Sequence, residues 1–450
     1  HWTVFAVRGP DAEIQNLKAV HSPGVETKSE PGLRVWQAHE LPAFIPEPGG
    51  LPVREIVPWV AVCGLAASWE AQAREYRAQL EAKLTPGDAE QKVLSELPDG
   101  SPAEKIKILY DYVQSRIQYN AIEFGVRGRD PAPASSTLIQ RYGDCKDMTV
   151  LLCNLLNLAG VPAVPALMHS STSVLLDLPS LDQFNHMVAV ADESVILDPA
   201  NKFHGCELQP PMNTGKRSLL LLDKNVGRFI QTPDYPADAS RIQIVRRVHV
   251  PPDGPLQVEE DVLHQGYYAG FFREEMQNIP ANYREKVLIS RFERTGYHIE
   301  SIQLPGDLSF SGDIHLSVRY QLTGALKNEA EIVVLSLPCL TELNFIRPGS
   351  FKLHSLPFQL EYGVTVQSRT VFKMGNLSFP NGVHYRSHLE INFQTDFALQ
   401  QEGEELIAEY LCTVNPGRYH PDQIPLLTRA ATAAIDPFTR EHRITVLPGI

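Results

Sequence analysis

Positive charge and cysteine are both thinly spread in this chain. No stretch concentrates Lys or Arg, and the formal net charge is −13 over 450 residues. A broad electrostatic hold on nucleic acid or anionic lipid needs a positive face, so neither is an expected partner. The six cysteines (Cys63, Cys145, Cys153, Cys206, Cys339 and Cys412) include no CxxC pair. Their spacing argues against a zinc site or a dithiol redox site, and they are too few for a disulfide scaffold. EF-hand spacing and carboxylate-rich loops are also missing, so no metal and no cofactor is expected. The most apolar stretch, residues 150–168, contains Asn154, Asn157, Gly160, Pro162 and Pro165 and makes a poor membrane span. The sequence has no repeat of fixed period and no low-complexity run. It opens on His1, and "HWTVFAVRGP" has neither a charged start nor a long apolar run. That reads as a chain whose leading segment has been removed.

What is present reads as globular, with 43% of residues apolar and 21% charged. A chain of this length is expected to form two to four domains. Residues 1–67 alternate short β-type runs ("WTVFAV", "LRVWQAHE", "REIVPWVAV") with Pro/Gly clusters and read as a β-rich domain. Residues 68–100 read as a helical connector, in which Ser68 caps a helix that Pro86-Gly87 stops. In "SPAEKIKILYDYV", Ser101 caps, Pro102 takes the first helical position and Glu104 completes a capping box. Residues 101–238 read as helices followed by strands ("VPAVPALM", "HMVAVA", "SVILDP"), with 205–238 mixed and proline-containing. Residues 239–450 read as almost wholly β, a sandwich-like domain with one helical insertion over 268–294.

One short stretch stands apart chemically. "QRYGDCKDMTVLLCNLLNLAG" (140–160) sets Cys145 after a Gly-Asp turn, at the first turn of an apolar helix. Cysteine reacts as its thiolate, and a free pKa of about 8.5 leaves little thiolate at neutral pH. The unpaired N–H groups and positive dipole end of a helix N-terminus favour the anion. Catalysis also needs a base to carry the proton and a third group to hold that base. His186 stands at the entry of "HMVAVA", and Asp198 follows "SVIL" twelve residues on. A strand, a tight turn and an antiparallel partner use about that length. They would bring both side chains to one sheet edge facing the Cys145 helix.

Together these stretches resemble the transglutaminase-like superfamily, circularly rearranged relatives of papain-type cysteine proteases. "YGDCKD" with "LLCNLLNLAGVPAVPAL" resembles its first motif, "FNHMVAV" its second and "ILDPAN" its third, over about residues 101–205. The resemblance implies a multidomain α+β protein whose papain-like core is flanked by N-terminal and C-terminal antiparallel β domains. Bacterial proteins that join this core to an N-terminal domain of unknown function have this arrangement. It implies Cys145 as nucleophile, His186 as base and acid, and Asp198 as orienter. The Cys145 backbone N–H is one expected oxyanion donor. Such sites also use a side-chain donor, here Gln140 or Tyr142, between which spacing does not choose. The chemistry implied is acyl transfer through a thioester on a protein, peptide or amine/acyl substrate. Water as acceptor makes a peptidase or amidase. An amine makes a transglutaminase, or an amide synthase acting on a small-molecule or carrier-bound acyl group. A binding module with an idle triad is the non-enzymatic alternative. The same resemblance implies export, to the periplasm in a bacterial cell.

Nearby residues have plainer readings. Cys153 lies among leucines and reads as core, and the other cysteines have no partner pattern. Asp144 and Asp147 support the helix start, and Lys146 partly offsets their charge. His169 and His204 read as loop or surface residues. Residues 170–183 read as a lid, a substrate-contact loop or a plain solvent loop. "GYYAGFF" (266–272) reads as the core face of a helix.

Overall fold

The structure, a computed structural model, describes residues 2–445 except 16, 42, 48, 65–67, 123–127, 211–212, 216–217, 224–226, 235–236, 252–253, 294–296, 306–307, 309–311, 330–331, 339–350, 352–353, 361–362, 374–382 and 390–391. Cys339 lies outside the described residues. The protein is a multidomain α+β chain that divides into two compact units, residues 1–234 and 235–450.

The first unit begins with β1 (Trp2–Arg8), α1 (Asp11–Gln15), β2 (Lys18–His21), β3 (Glu26–Glu30), β4 (Leu33–His39), α2 (Val53–Ile56) and β5 (Val60–Cys63). β1, β4 and β3 form an antiparallel sheet, and β2 pairs with β5. "REIVPWVAV" is therefore not one strand. Val57 precedes Pro58 and is pushed to extended backbone, which ends the α2 turn before β5 begins. Helices follow: α3 (Trp69–Leu80), α4 (Asp88–Glu96) and α5 (Pro102–Arg116). Ser68 Oγ accepts the Ala71 N–H at 3.1 Å, and Glu104 accepts the Ser101 N–H at 2.8 Å. Both helix starts are thus capped where the sequence placed them.

Next come β6 (Gln118–Tyr119), α6 (Ala134–Gln140), β7 (Tyr142–Gly143) and α7 (Cys145–Leu158). α7 is the centre of this unit. Met148, Leu151, Leu152, Leu155 and Leu156 are fully buried, each worth about 1.5–3 kcal/mol. β8 (Ala163–Met168), β9 (His186–Ala191), β10 (Val195–Leu197), β11 (Ser218–Leu221) and β12 (Arg228–Gln231) form one antiparallel sheet in the order β10–β9–β8–β11–β12. β8 is central yet contains Pro165. The Leu222 N–H bonds the Pro165 carbonyl just past the end of β11, so the missing proline N–H falls where the ladder has already stopped. The β11–β12 hairpin lies inside the stretch read as mixed, because prolines hide two short apolar runs.

The second unit contains β13 (Arg241–His249), β14 (Leu256–His264), α8 (Tyr267–Gln277), α9 (Ala281–Glu293), β15 (His298–Gln303), β16 (Ile314–Leu322), β17 (Leu326–Glu329), β18 (Ile332–Ser336), β19 (Phe358–Leu360), β20 (Val364–Lys373), β21 (Val383–Leu389), β22 (Phe393–Glu402), β23 (Glu405–Val414), β24 (Gly417–Tyr419) and β25 (Glu441–Thr445). Eight strands form one sheet, β15–β16–β14–β13–β20–β23–β22–β21. Its pairs are antiparallel except β13 with β20. One face buries Ile242, Val258, Val318, Phe372 and Phe397 against α8 and the helix Ile424–Thr439. That last helix was not anticipated, although its Ala430, Ala431 and Ala434 are strong helix formers. No helix among the described residues is long and apolar enough to cross a membrane.

Candidate active site

The residues around Cys145 build a helix start. Asp144 Oδ1 accepts the Asp147 N–H at 3.3 Å, and Asp147 Oδ2 accepts the Asp144 N–H at 3.3 Å. The other Asp147 oxygen accepts the Ala132 N–H at 2.7 Å. A Cβ at position 143 would stand 2.7 Å from Asp147 Cβ, so this turn requires Gly143. Lys146 pairs with Asp144 Oδ2, and both are buried. Cys145 is therefore held at the first turn of α7, beside N–H groups that have no helical partner.

Two hydrogen bonds bring the other two residues to it. One turn along α7, Thr149 Oγ1 donates to the Met187 carbonyl at 3.0 Å, seating the entry of β9 on the helix. Tyr110 on α5 donates to the Asp198 carbonyl at 2.8 Å, fixing the chain just after β10. His186 Nε2 then lies 2.9 Å from Asp198 Oδ2, which leaves Nδ1 as the ring nitrogen facing the Cys145 thiol. Asp198 is almost fully buried. Its Oδ1 accepts the Ala200 N–H at 3.2 Å, and its Oδ2 also accepts from Asn213 Nδ2 at 2.7 Å.

The electrostatics follow from these contacts. Burial would pull the His186 pKa down. The Asp198 charge, its hydrogen bond and the Cys145 thiol outweigh that and hold it well above the usual value. Burial would likewise raise Asp198. The His186 charge and the hydrogen bonds from His186, Asn213 and Ala200 keep the carboxylate below the usual range. Both shifts favour the charged form of the pair, an imidazolium beside a carboxylate. Burial pushes the Cys206 thiol up to about 12 and the Cys412 thiol up to about 11, and it also raises Cys63 and Cys153.

Cys145 and His186 open on one cavity of about 280 Å³, shared with Tyr76, Arg129, Lys146, Leu167 and Phe184. One wall comes from α3 in the connector. The α3 helix docks where Gly227 lets Ala73 approach, since a Cβ at 227 would sit 2.2 Å from Ala73 Cβ. Trp69 Nε1 donates to the Leu176 carbonyl at 2.7 Å. Gln72 donates to the Pro179 carbonyl at 2.8 Å and accepts the Leu181 N–H at 2.9 Å. Gln183 accepts the Leu175 N–H at 2.7 Å and donates to the Leu178 carbonyl at 2.6 Å. Residues 170–183 are thus fastened to α3, and Leu181 near their end lines the cavity. Tyr76 donates to the Arg129 carbonyl at 2.5 Å, and burial followed by the Cys145 charge raises its pKa.

Gln140 and Tyr142 are both exposed and are not among the residues lining this cavity. Tyr76, Arg129 and Asn213 were missed by sequence reasoning. They lie far from Cys145 along the chain, and no local motif marks them. His204 is buried, with Nδ1 3.3 Å from Asn201 Oδ1. His169 Nδ1 accepts the Ser171 and Thr172 N–H groups at 3.1 Å, organising the start of the 170–183 loop.

Comparison with known proteins gives two findings. Residues 91–167 match the model of the transglutaminase-like superfamily. The fold is similar to a crystal structure named as a candidate protease from Parabacteroides distasonis. The TM-score is 0.60 at 12% identity, covering 99% of this chain and 75% of that one. Among curated proteins, none matches the chain.

Proposed function

We propose that this chain, transglutaminase-like by its core, is a cysteine enzyme that transfers the acyl group of an amide through a Cys145 thioester. One arrangement carries the reading: Cys145 at the N-terminus of α7 and His186 face the same cavity, with Asp198 on the far nitrogen of the ring. In the first step Cys145 Sγ attacks the carbonyl carbon, and a carbon–sulfur bond forms. The carbonyl oxygen becomes an oxyanion beside the first-turn N–H groups of α7. The carbon–nitrogen bond then breaks, and the leaving amine takes the His186 proton. In the second step an incoming water or amine gives its proton to His186 and attacks the thioester carbon. The carbon–sulfur bond breaks and the thiolate returns. Asp198 holds the ring and stabilises its charge throughout.

Water as acceptor makes the protein a peptidase or amidase, and an amine makes it a transamidase. The name of its structural neighbour agrees with the first. The test is a pool of peptides incubated with the protein and a fluorescent primary amine, followed by mass spectrometry. New peptide termini mark hydrolysis, and amine-tagged peptides mark transamidation. Both are expected to vanish in Cys145→Ala. Neither product from wild type, with Cys145 no more reactive than the other thiols, would sink the reading.

A further inference from the structure

The triad as usually counted ends at the carboxylate, but here the carboxylate has its own support. Asp198 Oδ2 accepts two hydrogen bonds, one from His186 Nε2 at 2.9 Å and one from Asn213 Nδ2 at 2.7 Å. Asn213 has no exposed surface. It lies beyond the family-matched core, at residues 91–167, and is anchored by its own N–H to the Pro210 carbonyl at 2.8 Å. Its Oδ1 has no partner among the described residues. The amide thus keeps a buried acceptor unmatched while giving its N–H to one oxygen. Flipping the amide would turn Oδ1 onto the carboxylate, so the charge on Asp198 fixes the orientation.

We infer that Asn213 is a positioning residue of the reaction, acting through Asp198 to keep His186 charged beside Cys145. The inference rests on the catalytic reading above. A buried carboxylate drifts toward its protonated form when it loses a donor. A neutral Asp198 neither orients the imidazolium nor stabilises it. With His186 less able to stay protonated, the thiolate beside it forms less readily at acid pH. Asn213 would act on the pH dependence of the site through Asp198, without touching substrate.

The test is the iodoacetamide alkylation rate of Cys145, followed by peptide mass spectrometry at pH 6 and pH 9, with the other thiols as controls. A hydrogen bond to a charged group governs the size of the effect. Asn213→Leu is expected to slow alkylation at pH 6 by about 10-fold or more. At pH 9 the rate should stay within about twofold, because a thiol ionises there without help. If Asn213→Leu does not fold, as read by circular dichroism, Asn213→Ala carries the same comparison. An unchanged pH 6 rate in the folded variant, or an equal loss at both pH values, overturns the inference. Should His186→Ala leave the wild-type pH 6 rate intact, the catalytic reading itself fails, an outcome distinct from the first.

Discussion

Replacing Asp198 with Asn keeps the side-chain shape and removes its charge. The ring nitrogen and carboxylate oxygen are 2.9 Å apart and largely shielded from water. Two unit charges at that distance attract by about 6 kcal/mol at an effective dielectric of about 20. Burial of the ring works against this, and a charged hydrogen bond nets about 1.5–3 kcal/mol. Losing it lowers the His186 pKa. The His186 imidazole proton, followed by NMR against pH, should therefore titrate well above the usual histidine range in wild type. In Asp198→Asn it should fall back toward that range, because the charge and the hydrogen bond that raise it are gone. Stability moves with it. His186 is raised in the fold, so its contribution is complete below its unfolded pKa and is lost as pH rises through the raised value. Asp198 is lowered, so its contribution is present above its unfolded pKa and is lost as pH falls through the lowered value. The variant's deficit should be about 3 kcal/mol near pH 6 by urea unfolding, shrinking toward both extremes. A wild-type His186 titrating at an ordinary value, or one that Asp198→Asn leaves unmoved, would refute the reasoning.

Other substitutions test other parts. Gly143→Ala should lose about 1–3 kcal/mol, read as a lower urea midpoint, because the added methyl meets Asp147 Cβ at 2.7 Å. Thr149→Val removes the bond to the Met187 carbonyl. It should cost about 1 kcal/mol by the same measurement and slow Cys145 alkylation at pH 6. Gln72→Ala unfastens the 170–183 loop. Faster proteolytic cutting within 170–183 is expected, with KM raised more than kcat is lowered; an unchanged cutting rate would mean the loop is held some other way. In the second unit, Glu260→Gln strips buried Arg246 of its carboxylate at 2.6 Å and should destabilise that unit by about 3–5 kcal/mol in calorimetry.

Local signals in the sequence carried a large part of the architecture. Ser68, Ser101 with Glu104, and Asp144 each mark a helix start that exists, because a cap depends on three or four neighbouring residues. The apolar run after Cys145 reads as a buried helix ended by Gly160, and it is one. Where the reading failed, competing local signals were stronger than the periodic one. Pro52 and Pro58 bracket a helical turn that was taken for strand. The β11–β12 hairpin has only four residues per strand and gains its place by pairing with β8. The helix Ile424–Thr439 contains proline and follows a long β region, so its Ala-rich face went unread.

The chemistry divides along the same line. By itself the sequence determined the order of its chemical groups, a thiol at a helix start, a histidine entering a strand and an aspartate leaving the next. These depend on chain-local rules of capping and hairpin length. Only the tertiary structure decided their surroundings. Thr149 and Tyr110 set the helix and sheet against each other, Gln72 and Trp69 tie a loop to α3, and Asn213 reaches Asp198 from fifteen residues on. Such contacts join segments as much as 109 residues apart. No local pattern encodes them, because each depends on where burial and packing bring its partner.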